Sequence, residues 1–177
     1  ILDNGANNGA WSDSLMRLSR SMLRSHVQLD LLMIEPQIEF QKRLESIAAR
    51  WKGVYLQAAA WTNDTVIEFF SSQSNLEASS VARASARRWG RYRARAVRGL
   101  NSSRLIMQAP AVQRAKLLLL KLDIEGGEYT VLPHLLMSGA LCRADFLLIE
   151  WHLNATPPEQ RLSGLSLRHS IDTLLAS

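Results

Sequence analysis

Along this chain short apolar runs alternate with stretches of helical spacing, a pattern that predicts an α/β fold with a mainly parallel sheet. Ile1–Leu2 reads as the stub of a first strand. A helix follows from Ser12 to Arg24, with Ser12 as its N-cap and Leu15, Leu18 and Met22 on one face. Asp30–Ile34 is a second apolar strand ending at Glu35. Pro36 then suits the first turn of a helix whose face carries Phe40, Leu44, Ile47, Ala48 and Trp51. Val54–Trp61 and Thr65–Phe70 read as two strands joined through Thr-Asn-Asp-Thr as a hairpin. Ser71–Ser80 reads as loop, and the arginine-rich segment after it as irregular or helical. Lys116–Asp123 (KLLLLKLD) is the strongest strand, buried on both faces if the sheet is parallel. Glu128–Ser138 is a helix ended by Gly139, Phe146–Trp151 another buried strand, and Leu162–Leu175 a helix with Leu167, Ile171 and Leu174 on its face.

The chain has 177 residues, 47% of them apolar and 21% charged, enough for one domain with a real core. We expect a single domain over residues 1–177 with an irregular arginine-rich insert at 71–110. Its one cysteine, Cys142, excludes an internal disulfide framework. Apolar runs such as Leu117–Leu120 are far shorter than the roughly 18 residues that a membrane helix needs. The chain opens at Ile1 rather than Met, which reads as a piece of a longer protein, so compartment and oligomeric state stay open.

Charge is unevenly spread. Between Ala78 and Leu122 there are eleven Lys or Arg and no Asp or Glu, and the rest of the chain is net acidic. Arg83–Arg98 interleaves arginines with Trp89 and Tyr92, a combination that fits either a solvated basic surface or a nucleic-acid contact.

Three features fall where an open α/β sheet binds ligands, at the carboxyl ends of its strands. Asp3-Asn4-Gly5-Ala6-Asn7-Asn8-Gly9 joins the first strand to the first helix. Its glycines permit a tight turn and close backbone approach, but their spacing is not that of the dinucleotide fingerprint. Asp3 places a carboxylate that suits a cationic ligand better than a pyrophosphate. Glu35 ends the second strand, where a carboxylate can accept hydrogen bonds from a ribose diol. Asp123-Ile124-Glu125-Gly126-Gly127-Glu128 crowds three carboxylates at a strand-to-helix turn, and Glu128 there also suits a helix N-terminal acid.

These segments, GANNGAW, Ile34-Glu35-Pro36, the Ala58–Trp61 strand, KLDIEGGEYTVL and LLIEWH, resemble the FkbM-type methyltransferases in content and order over roughly Ile1 to His152. The resemblance implies an α/β three-layer, Rossmann-like sandwich of the class I methyltransferase type, here truncated at both ends, with S-adenosylmethionine as cofactor. It implies that Asp3, Gly5, Asn7 and Gly9, with Ala6, line the methionine side, that Glu35 with Pro36 holds the ribose, and that Asp123 faces the sulfonium. The acceptor it implies is a hydroxyl on a sugar or small molecule. An alcohol needs a general base, and Asp123, Glu125 and His152 are the candidates, His152 as a neutral imidazole. No metal is called for, although clustered Asp123 and Glu125 have the chemistry to hold a divalent cation that orients a diol. A nucleic-acid methyltransferase or binder using Arg83–Arg98 is the alternative, as is an inactive Rossmann-like binding module.

Overall fold

The computed structural model describes residues 1–24, 26–72, 76, 79–81, 92–156 and 160–176. In chain order the elements are β1 (Leu2–Asn4), α1 (Ala10–Met22), β2 (Leu32–Ile34), α2 (Gln41–Trp51), β3 (Val54–Leu56), β4 (Ala59–Trp61), β5 (Thr65–Ser72) and β6 (Tyr92–Asn101). They continue with α3 (Ser102–Gln108), α4 (Pro110–Arg114), β7 (Leu119–Leu122), α5 (Glu128–Met137), β8 (Phe146–Ile149) and α6 (Arg161–Ala176). Five strands form an all-parallel sheet in the order β3-β2-β1-β7-β8, and β4-β6-β5 form a smaller one. The larger sheet is the expected parallel core.

Strand alternation decides which residues face which layer. Met33 joins Met16, Leu44, Ile47 and Ala48 in a core with α1 and α2. Leu2, Ile34, Leu120 and Leu122 join Val131, Leu132, Leu135 and Ile171 in a core with α5 and α6 on the opposite face. Asp3 is in register with both Met33 and Lys121. Period 2 therefore sends a carboxylate and an ammonium side by side toward α1, inside an otherwise apolar layer.

Several expectations change. Helix α1 starts at Ala10, because Gly9 takes the left-handed turn (φ 75°) and the Asn8 side chain accepts the Ala10 N–H. Ser12 is thus inside the helix and buried with Met16, while Leu18 and Met22 are 56% and 74% exposed. The anchored face is set by polar Ser12 rather than by the leucines. Pro36 precedes a short 3-10 turn (Ile38–Phe40), and α2 begins only at Gln41.

The hairpin is absent. Val54–Trp61 breaks into β3, in the large sheet, and β4, in the small one, and β6 lies between β4 and β5. The Asn-Asp turn offers no glycine for a two-residue hairpin turn. Asp64 instead accepts the Asn101 N–H and pairs with Arg104, capping the far end of β6.

The segment 71–110 is less irregular than expected. Tyr92–Asn101 is a ten-residue strand antiparallel to β5, and α3 and α4 follow it. Residues 82–91, with Trp89 and most of the arginine run, lie outside the described residues. Of the run's described members, Tyr92 packs edge-on against Phe70 (5.6 Å between centroids) and Arg95 pairs with Glu39 at 2.7 Å. Strand β8, expected to be buried, is only half-buried on one face, at Leu147 and Ile149, and open on the other, where Phe146 and Leu148 are exposed. Among the described residues no helix is long and apolar enough to cross a membrane.

Candidate functional site

The strands of the large sheet end together at their carboxyl termini, where β1 and β7 are neighbours and the chain direction of strand order reverses. Gly5 leaves β1 at φ 82°, and a Cβ there would sit 1.7 Å from the Asp123 carbonyl oxygen, so only glycine lets the two strand exits touch. The Gly5 and Ala6 N–H groups both donate to the Ile34 carbonyl, folding the bend over β2. Asn7 (φ 51°) then donates its N–H to Glu35 Oε2 at 2.9 Å, and the Gln37 N–H donates to Oε1 at 3.0 Å. The bend and Glu35, 28 residues apart in sequence, are thus one wall. Burial pushes the Glu35 carboxyl up to about 7, against the pull of those two backbone donors.

That wall bounds a cleft of about 320 Å³. On the β1–β2 side it is lined by Gly5–Asn8 and Glu35–Gln37, and on the β7–β8 side by Lys121, Asp123–Glu125, Gly127 and Glu150. Trp11 from α1, Ala59, Ala60 and Phe69 from the small sheet, and Ser79 from the segment after β5 also line it. Of the residues expected to bind cofactor, Gly5, Ala6, Asn7, Glu35, Pro36 and Asp123 line this cleft. Asp3 and Gly9 do not. Asp3 is fully buried behind the wall, with Oδ1 3.1 Å from Lys121 Nζ and Oδ2 accepting from Ser12 Oγ at 2.6 Å. The cation it meets is Lys121, and burial raises its pKa despite that partner. Gly9 has a packing role, since a Cβ there would lie 2.5 Å from Ile47 and 2.9 Å from Leu44.

The three expected catalytic groups do converge. Asp123, Glu125 and His152 each bring one ligand atom within 4.8 Å of the others, the set that could hold a metal ion. Glu128 organises them. Fully buried, it accepts the Ile124 and Gly126 N–H groups (2.7 and 2.8 Å) and lies 3.0 Å from His152 Nδ1. The helix-start acid of the sequence is therefore a clamp on both the turn and the histidine. Ser80 Oγ donates to the Glu125 carbonyl, tying the small sheet to the same turn.

Electrostatics separates their roles. Burial raises Glu125 to about 7, opposed by His152 and assisted by Asp123, Glu128 and Glu150. Burial pulls His152 down, but the Glu128 hydrogen bond and the carboxylates of Glu128, Glu125 and Asp123 outweigh it and raise it to about 9. The carboxylates gathered around His152 thus favour its imidazolium over the neutral imidazole. Glu125 is the group of the three whose carboxyl exchanges its proton near pH 7.

Sequence reading missed Lys121 and Gln37. Lys121 is hidden by its apolar strand, and the only available signal was a charge at the position that alternation sets beside Asp3. Gln37 lines the cleft and is 4% exposed, and its Oε1 has no hydrogen-bond partner. Nothing in the residues around it announced that.

The family model described as Methyltransferase FkbM domain matches residues 3–176. No curated protein and no solved structure matches the chain.

Proposed function

The chain belongs to the FkbM methyltransferase family, and from that premise we propose that it transfers the methyl group of S-adenosylmethionine to a hydroxyl of a sugar or other small-molecule acceptor. The observation that carries the reading is the Asn7–Glu35 contact, which joins the glycine bend and the acidic end of β2 into one wall of one cleft. The wall fits the cofactor by its own chemistry. Glu35 keeps lone pairs beyond its two backbone donors, and Gln37 carries an orphaned acceptor oxygen, so the β2 side is rich in acceptors for ribose hydroxyls. Across β1, the carboxylates of Asp123, Glu125 and Glu150 suit a cationic sulfur and repel a polyanionic acceptor.

S-adenosylmethionine supplies a methyl group already activated on a sulfonium. The chain's own task is then alignment and proton removal. Glu35 and Gln37 hold the ribose, and the Gly5–Asn7 backbone closes on the methionine end. Asp123 lies beside the reacting centre. Glu125 takes the acceptor proton, and the His152 imidazolium, fixed by Glu128, favours its ionised form.

This division of labour sets the pH profile. Turnover rises as Glu125 loses its proton near pH 7 and falls as His152 loses its own near pH 9. A profile that climbs through about pH 6.5 and stays flat to pH 10 would instead mark a neutral histidine base.

The function itself is tested by transfer of label from methyl-labelled S-adenosylmethionine to a panel of sugars, small hydroxylated compounds and RNA. Labelled sugar or small-molecule ether is expected, with Asp123→Asn reducing turnover about 100-fold while affinity for the neutral product S-adenosylhomocysteine changes by less than about fivefold. Label on RNA alone, or cofactor binding with no transfer to any acceptor, overturns the proposal.

A further inference from the structure

Lys121 lies within β7, one residue before its end, with its side chain 11% exposed, and its ammonium has three N–H groups. Three protein oxygens face them: Asp3 Oδ1 at 3.1 Å, the Gly5 carbonyl at 3.2 Å and Asp123 Oδ2 at 2.9 Å. The Trp11 ring lies beneath, 5.4 Å from Nζ. The ammonium thus has one partner behind the wall, one in the glycine bend and one in the cleft, and no freedom to choose another. The other oxygen of Asp123 lies 3.7 Å from His152 Nε2, beyond hydrogen-bond reach. Among the described residues, Lys121 is the one side chain within hydrogen-bond distance of the Asp123 carboxylate.

We propose that Lys121 is a positioning residue that aims the Asp123 carboxylate into the cleft, so that the site distinguishes a sulfonium ligand from its neutral thioether product. This rests on the methyl-donor reading above. Without the ammonium, Asp123 closes the short gap to the His152 imidazolium and leaves the wall. A ligand with a positive sulfur then loses an attractive carboxylate, and a ligand with a neutral sulfur loses little. Asp3 complicates a simple deletion, because removing Lys121 alone strands a buried carboxylate and threatens the fold.

The test therefore neutralises Asp3 first. S-adenosylmethionine and S-adenosylhomocysteine are titrated calorimetrically into the wild type, Asp3→Asn and the double variant Asp3→Asn/Lys121→Met, each checked by melting. In the double variant S-adenosylmethionine is expected to bind about tenfold more weakly than in Asp3→Asn, and S-adenosylhomocysteine to change by less than about twofold. Loss of packing alone would weaken both equally and leave their ratio unmoved, and that result overturns the inference. Failure of the double variant to fold also overturns it, since the ammonium would then serve the fold rather than Asp123. A wild type that binds neither ligand refutes the methyl-donor reading itself, a separate outcome.

Discussion

Gly5→Ala is expected to yield little folded protein. The added methyl would sit 1.7 Å from the Asp123 carbonyl oxygen and 2.7 Å from its carbon, and both are backbone atoms in the neighbouring strand exit. No rotamer relieves that overlap, so β1 and β7 must separate where Leu2–Asn4 pairs with Leu120–Leu122. The φ of 82° adds a left-handed cost of roughly 1–2 kcal/mol for any side chain. Together these place the loss at about 4 kcal/mol or more, within the range reserved for severe backbone or core damage. Urea denaturation measures it directly, with Gly139→Ala as the control. Gly139 is also left-handed at φ 73°, but an added methyl there meets nothing within 4 Å. A loss in Gly5→Ala no larger than in the control would mean that the two strand exits are not in contact.

The second large effect is on ligand binding at Glu35. Its carboxyl joins the bend to β2 and, in the proposed function, accepts the ribose hydroxyls. Hydrogen bonds to a charged group contribute about 1.5–3 kcal/mol each, so above the Glu35 pKa of about 7, where the carboxyl is ionised, Glu35→Ala is expected to weaken S-adenosylhomocysteine binding by about 100-fold. It also strands the Asn7 and Gln37 N–H groups in a buried place, so some stability is lost. Glu35→Gln separates the two effects. It keeps the shape and one acceptor oxygen, so it should lose less than Glu35→Ala both in melting temperature and in affinity. Equal affinities for wild type and both variants would remove Glu35 from the binding wall.

The parts of the fold that were legible in the sequence are those where local pattern and burial agree. The second half of KLLLLKLD, Leu119–Leu122, is a parallel strand inside the sheet, Leu44, Ile47 and Ala48 face the core from α2, and Gly139 ends α5 in a left-handed turn, whereas Leu117 in the first half is exposed. The carboxyl-edge location of the glycine bend, Glu35 and Asp123 was legible too, because each follows an apolar strand directly. What misled was polar anchoring and long-range pairing. Ser12 looked like a cap and is a buried partner of Asp3. The 54–70 region looked like a hairpin, but a strand that begins about twenty residues later, at Tyr92, inserts between its halves, and nothing local encodes that. Lys121 looked like a flank of an apolar run, because its two carboxylate partners come from different strand ends. The surroundings of His152 were hidden as well, because Asp123, Glu125 and Glu128 are brought around it only by the fold.

The central claim is that the Gly5–Glu35–Asp123 cleft holds a methyl donor, and the most direct measurement is a pair of calorimetric titrations of the wild-type chain. S-adenosylhomocysteine is expected to bind with measurable heat and to raise the melting temperature, while NAD does neither. A folded, cooperatively melting protein that gives no heat with S-adenosylhomocysteine, or that prefers NAD, would contradict it.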